Sequence, residues 1–293
     1  METTNYIEFK KERDLGAIIN DTFKFLRENW KPYLNALIKI AGPFILVGAI
    51  VLVFFLSSFF GGFYNLENTD PDSAGIGVFI NMFSWMGIMM LVGGIVYIIV
   101  SAVSLYFIKS YIENRGVVDY YEVRKNTFGN FWKFLGLGIL MILIVGLGAM
   151  FCYLPGIYLG IVLSLATSIL VFENKSVGDT ISHSFTLIKG QWWTTFGVII
   201  VVSLLVSVLG AAFSIPAFIY QIVKMATSFG QNDPSAMIDL FEDPVYIALN
   251  VLSYAGRFVL SSITLIALVF IYFDLNEQKN LTGTLEKIES IGE

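Results

Sequence analysis

Residues 134–172 read FLGLGILMILIVGLGAMFCYLPGIYLGIVLSLATSILVF, two apolar runs on either side of Leu154-Pro155-Gly156 with no Asp, Glu, Lys or Arg in either. A helix needs roughly 20 residues to cross a hydrocarbon core of about 30 Å. Pro-Gly is a turn signal. The stretch therefore predicts a transmembrane hairpin with spans at about 134–154 and 157–172. Working outward, four more apolar segments of spanning length lie at about 43–63, 85–108, 198–220 and 246–273. The expected fold is all-α, with six transmembrane helices.

Composition supports the class. The chain is 56% hydrophobic and only 14% charged, whereas a soluble domain carries roughly 25% charged residues. A net charge of −5 with no basic stripe argues against nucleic acid as a partner. A single cysteine, Cys152, excludes a disulfide framework and a thiolate metal site. No metal or cofactor is expected. The charged N-terminus has no early apolar core, so the first span is expected to direct insertion without a cleaved signal.

Orientation follows from Lys and Arg. With six spans, 16 of the 18 basic residues fall on one side, all but Lys224 and Arg257. Both termini are thereby expected in the cytoplasm. The opposite loops, about 64–84 and 221–245, are acidic, and stretches such as AMIDLF (236–241) read as short helices there.

The chain also repeats itself. LGAIINDTFKFLRENWKPYL, from Leu15, aligns without a gap on VGDTISHSFTLIKGQWWTTF, from Val177. Ile19, Phe23, Leu26 and Trp30 face Ile181, Phe185, Ile188 and Trp192, spaced i, i+4, i+7, i+11 as on one face of an α-helix. Asp14 and Ser176 stand where N-caps belong. A weaker copy, DYYEVRKNTFGNFWKFLG from Asp119, places Tyr121, Phe128 and Trp132 on that face, with Lys125 breaking it. Each copy precedes a pair of spans. The plan is an amphipathic interfacial helix plus a transmembrane hairpin, in three parallel repeats at about 13–115, 116–174 and 175–275, then a cytoplasmic tail at 276–293. The whole is one membrane domain, 1–293. Helices of this kind lie in the membrane interface with Trp at headgroup depth.

The run LPGIYLGIVLSLATSILVFENKSVGDTISHSFTLIKGQWWTTFG and the ending IYFDLNEQKN carry a family resemblance. A Pro-Gly turn, a span, an acidic residue (Glu173) and a Ser-rich helix closing in Lys-Gly-x-Trp-Trp resemble the membrane domain fused to some bacterial glycerophosphodiester phosphodiesterases, and its stand-alone relatives. In the fused proteins the chemistry belongs to a separate soluble barrel of about 250 residues. This chain has neither room for such a barrel nor more than one histidine. The resemblance thus implies a membrane domain without the enzyme.

Candidate chemistry is sparse. His183 falls on the polar side of its helix, and no nucleophile or carboxylate partner can be assigned to it from sequence, so it reads as a solvated interfacial histidine. Arg257, in SYAGRFVLSS, is a charge inside a span. Sixteen residues from Phe273, it lies about 24 Å along the helix, some 6 Å short of the far interface of a core of about 30 Å. It either snorkels to an anionic lipid or turns inward to a buried pair or a substrate phosphate. Gly156 and Gly160 suit close helix packing.

These readings favour a non-catalytic multi-pass protein of the bacterial inner membrane, a subunit or scaffold of a larger complex. Its expected partners are membrane lipids and other integral membrane proteins. The alternative is a transporter or lipid-handling protein in which Arg257 contacts an anionic headgroup.

Overall fold

The computed structural model describes residues 6–68, 71–229, 240 and 243–292. Among them no strand occurs. In chain order the helices are α1 (Leu15–Ala36), α2 (Gly42–Asn68), α3 (Pro71–Glu113), α4 (Tyr120–Gly129), α5 (Phe131–Phe151), α6 (Tyr153–Leu163), α7 (Ala166–Glu173), α8 (Val177–Ile188), α9 (Trp192–Phe229), α10 (Pro244–Asn280) and α11 (Thr282–Gly292). Six described stretches are long and apolar enough to cross a membrane: Leu15–Leu56, Ile76–Glu113, Phe131–Phe151, Tyr153–Glu173, Trp192–Thr227 and Pro244–Asn280. The chain thus fits a multi-pass membrane protein.

Several boundaries differ from the sequence reading, each for a local reason. The hairpin turns at Cys152, whose extended backbone (φ −168°, ψ 147°) ends α5, not at Leu154-Pro155-Gly156. Pro155 lies in the first turn of α6, where a missing N–H leaves no bond unmade. Gly156 instead serves the crossing: a Cβ there would come within 2.8 Å of the Ala149 Cβ, and one on Gly148 within 2.6 Å of Leu159. The join from α1 to α2 is a π turn, Leu37–Ala41. Pro43 cannot donate to the helix, and the wider turn accommodates the ring. The expected outer loop at 64–84 is largely helical, in α2 and α3. AMIDLF lies, apart from Leu240, outside the described residues.

The chain divides into two compact units, and their boundaries fall inside long helices. The first comprises Met1–Ala41, Ile98–Val206 and Ser261–Glu293. Its core is the end of α10, where every residue from Ser262 to Glu277 except Thr264 is buried, together with Ile99–Ile108 of α3. A helix buried on all sides must be apolar on all sides, and both runs nearly are. Tyr33 meets Ser104 at 2.6 Å, and Ser104 donates to the Val100 carbonyl at 2.7 Å, while the buried Ser101 hydroxyl has no hydrogen-bond partner.

Arg13 locks the N-terminal segment onto this core. Its side chain is fully buried. Nε donates to Asp21 at 2.9 Å, Nη1 to the carbonyls of Phe9 (2.6 Å) and Lys11 (3.1 Å), and Nη2 to that of Glu8. Its backbone N–H donates to Asp274 at 2.7 Å, and its guanidinium lies 4.7 Å from the Phe270 ring centre. Phe9 stacks on that same ring at 4.4 Å. Burial pulls Arg13 below its ordinary value, opposed first by Asp21.

Three helices in this unit, α1, α4 and α8, begin alike. The side chains of Asp14, Asp119 and Ser176 accept backbone N–H groups of α1, α4 and α8. Four and eight residues beyond the cap, each helix buries a β-branched residue and then a small hydroxyl: Ile18 and Thr22, Val123 and Thr127, Thr180 and Ser184. Thr22 and Ser184 return their hydroxyls to the carbonyls one turn back, at 2.7 and 2.9 Å. Residues 276–293, the expected tail, are folded where described: Glu277 accepts the N–H groups of Gly283 (2.6 Å) and Thr284 (2.9 Å) and caps α11.

In the second unit, Gly42–Tyr97 and Ser207–Leu260, Phe54 stacks on Trp85 at 5.9 Å. Gly48 lets Val96 approach; a Cβ there would sit 3.3 Å from it.

Replacing Arg13 with Met should lower stability by about 3–5 kcal/mol, the cost of breaking a buried ionic network. Lys should not rescue it, because an ammonium cannot reproduce the fork that reaches Asp21 and three carbonyls. Melting temperatures in detergent test this; a Lys variant as stable as the parent would refute the lock.

Candidate functional site

An open pocket of about 540 Å³ lies in the first unit. It lies among the N-terminal segment, the end of α3, the α7–α8 link and the ends of α10 and α11. Its floor is apolar (Ile112, Phe172, Phe273) and its rim mixes Lys10, Lys109, Lys175 and His183 with Glu113, Glu173 and Glu286.

Glu173, the last residue of α7, is the hub. Asn174 adopts the left-handed conformation (φ 51°), which ends α7 and lets Ser176 start α8 within three residues. Glu173 thereby meets side chains from both sides of the turn. Tyr272 donates to Oε1 at 3.0 Å, and Lys175 pairs with Oε2 at 2.6 Å. The imidazole Nε2 of His183 lies 3.3 Å from Oε1, within ion-pair range when protonated. It sits off the line of a hydrogen bond, however, and this buried nitrogen has no hydrogen-bond partner. Lys109 donates to the Val171 carbonyl at 3.0 Å, a cation at the C-terminal end of a helix.

His183 therefore has the carboxylate neighbour that sequence did not supply. The signal was present: Glu173 precedes α8 by four residues, and a left-handed Asn turn brings the two together. No Ser or Cys is among the described residues lining the pocket, and the cluster offers an ionic anchor centred on Glu173.

The predicted helix-face residues take varied positions. Ile19, Phe23 and Leu26 are half-buried and Trp30 is 49% exposed. In the second copy Ile181 is half-buried, Phe185 is exposed and Ile188 is buried. Trp192 stacks on Tyr158 (5.7 Å) and Phe196 (5.0 Å). The stripe turned to the protein is the adjacent one, Ile18, Thr22 and Phe25 in α1 and Thr180, Ser184 and Leu187 in α8. Tyr121 and Trp132, placed on the same face in the weak copy, are 76% and 77% exposed. Aligning the caps Asp14 and Asp119 shifts that copy by three residues and superposes Thr22 on Thr127.

Arg257 occupies a cleft of about 200 Å³ within the second unit, between α9 and α10. Nη2 donates to Ser214 Oγ at 2.8 Å. Gln221, Asn250 and Ser253 add polar lining, and Ala217, Phe218 and Tyr254 apolar lining. The helices cross closely here. A Cβ on Gly256 would come 2.5 Å from the Phe213 ring, and Ser253 donates to the Phe213 carbonyl at 2.6 Å, beside the bond that Pro216 cannot make.

Before α10, Asp243 accepts the N–H of Val245 (2.9 Å), pairs with Lys224 (2.8 Å) and accepts the Tyr220 hydroxyl (2.7 Å). Lys224 first, and then Tyr220, hold its carboxyl below the usual carboxylate range. No protein family, curated protein or solved structure matches the chain.

Two outcomes follow from these networks. Glu173→Ala should cost about 1–3 kcal/mol by stranding Tyr272 and Lys175, whereas His183→Gln, which breaks no hydrogen bond, should stay within about 0.5 kcal/mol. Equal losses in detergent melts would contradict that ranking. For Asp243, the folded value is depressed, so the unfolded chain binds more protons in acid. Its contribution is fully present above the ordinary Asp value of about 3.9 and fades as pH falls through the folded value. Asp243→Asn should flatten the acid limb of melting temperature against pH; an unchanged limb would show that the cap carries no linkage.

Proposed function

We propose that the chain is a non-catalytic, multi-pass protein of a bacterial plasma membrane that serves as a subunit or scaffold of a larger membrane complex. Six spans form three parallel units, each a short helix followed by a hairpin, with both termini in the cytoplasm. The distribution of Lys and Arg supports that orientation. The common caps and common buried positions of α1, α4 and α8 support the threefold plan. On this reading the chain is akin to the stand-alone membrane domain that its sequence resembles.

One observation carries the scaffold reading. Each of these helices buries one stripe against its own protein and leaves a large aromatic side chain exposed within it or just after it: Trp30, Trp132 and Trp193 are 49%, 77% and 77% exposed. In a bilayer interface such rings supply apolar area with a polar edge, suited to headgroups and to neighbouring membrane proteins.

A second reading, a transporter or lipid-handling protein, is favoured by the Arg257 cleft, which brings a cation and neutral polar side chains together within two apolar helices.

Extraction in mild detergent followed by mass spectrometry should recover a membrane protein in stoichiometric amount. Trp132→Asp with Trp193→Asp should release it while leaving the melting temperature of the purified chain nearly unchanged. A clean monomer that retains lipid but no protein, in both parent and variant, would remove the scaffold.

A further inference from the structure

We propose that the cleft between α9 and α10 is a binding site for a phosphate-bearing, net-negative headgroup, the phosphate seated on Arg257 and Ser214 with its acyl chains lying along the outside of the two helices. The inference rests on α9 and α10 crossing the membrane. It does not depend on the scaffold assignment.

A guanidinium is always charged and carries five N–H donors in a fixed fork. Arg257 uses one, to Ser214 at 2.8 Å. Among the described residues it has no carboxylate partner. Arg13 shows what satisfaction looks like in this chain: Asp21 and three backbone carbonyls take up its side-chain donors. Charge in a span is costly and is ordinarily paired, so Arg257 calls for an anion from outside the chain.

The lining selects for one. No acidic side chain is among the described residues of this cleft, in contrast to the larger pocket with its three glutamates. The carboxylate nearest in sequence, Asp243, is already engaged by Lys224, Tyr220 and the N–H of Val245. Gln221 and Asn250 bring neutral amide groups, suited to phosphate oxygens or glycerol hydroxyls.

Size and depth narrow the ligand. About 200 Å³ holds a phosphate with a small polar substituent and excludes a whole lipid. Exposed Phe218, Ile222 and Leu252 offer apolar surface on the same helices for chains that remain outside. Arg257 lies about 24 Å along α10 from Phe273, and Ser214 about 33 Å along α9 from Trp192. In a core of about 30 Å both stand near the interface opposite those two residues, at headgroup level. Gly210 and Gly256 hold the register: a Cβ on Gly210 would meet the Arg257 stem at 3.7 Å, and one on Gly256 would strike Phe213.

The test uses the full chain in nanodiscs of phosphatidylglycerol or phosphatidylcholine, with native mass spectrometry of retained lipid. Phosphatidylglycerol should be retained roughly tenfold over phosphatidylcholine, the ratio that 1.4 kcal/mol sets. Arg257→Gln should abolish the preference. Arg257→Lys, which keeps the charge and loses the fork, should weaken it. Melting temperatures taken without lipid confirm that each variant is folded, and Ser214→Ala gives a second, milder perturbation if Arg257→Gln is not. In a parallel arm, glycerol 3-phosphate is added in detergent. No effect there, with the lipid preference present, assigns a lipid headgroup; a stabilisation dependent on Arg257 without lipid preference assigns a soluble phosphate to the same site. Equal retention of both lipids with no response to glycerol 3-phosphate, or a preference that survives in Arg257→Gln, overturns the proposal. Loss of a co-purifying protein partner has no bearing on this readout, so this proposal and the scaffold fail separately.

Discussion

The constraint on which the fold depends is that an apolar environment offers a backbone nothing to hydrogen-bond with. Every N–H and C=O in the spans must be satisfied within the chain, and helices do this segment by segment. The places where the ladder is interrupted show the rule most clearly. At Pro43 the helix widens into a π turn instead of opening. Near Pro216, the Ser253 hydroxyl reaches across from α10 to the Phe213 carbonyl at 2.6 Å. Buried hydroxyls such as Ser104, Thr22 and Ser184 return to carbonyls one turn back, whereas those of Ser101, Thr127 and Ser168 have no hydrogen-bond partner.

The same demand explains why two arginines of one chain have opposite surroundings. Arg13 is buried, yet the chain folds around it: four residues of the N-terminal segment and α1 receive its side-chain donors, and Asp274 holds its own N–H. That lock places Lys10 against Glu286 and brings α11 to the edge of the larger pocket. Arg257 has one neutral partner and an open cleft. The first charge has its requirements met internally; the second keeps donors to spare in a polar recess.

How much of this could be read from sequence depends on whether the signal was local. Six spans were legible because length and apolarity are properties of a segment alone. The caps Asp14 and Ser176 were legible for the same reason, each being a side chain that bonds within its own first turn. The buried stripe was not. Aromatic periodicity points to Phe23 and Trp30, but what packs inward is the stripe one residue earlier, Ile18, Thr22 and Phe25, with the Thr22 hydroxyl returned to its own helix. Aligning caps instead of aromatics would have found Thr22, Thr127 and Ser184 together. Arg13, counted only as one basic residue among many, is buried through contacts with Asp274 and Phe270, more than 250 residues away, which no local pattern announces. His183 was placed on the polar side of its helix, and it is half-buried; only the left-handed turn at Asn174 brings Glu173 within 3.3 Å.

The division of labour between the two stripes of each short helix bears on function. Had the aromatic stripe been the packing stripe, α1, α4 and α8 would be internal supports and their surfaces would carry little information. Because the inward stripe carries hydroxyl and β-branched residues beside Phe25 and Leu187, Trp30, Trp132 and Trp193 are left exposed, while Trp192 stacks on Tyr158 and Phe196. Exposing a large ring has no benefit to a helix in water, but at a bilayer interface or against another membrane protein it adds apolar contact with a polar edge. Each of the three helices thus packs a small hydroxyl inward, beside Phe25 in α1 and Leu187 in α8, and leaves a large ring exposed within it or just after it.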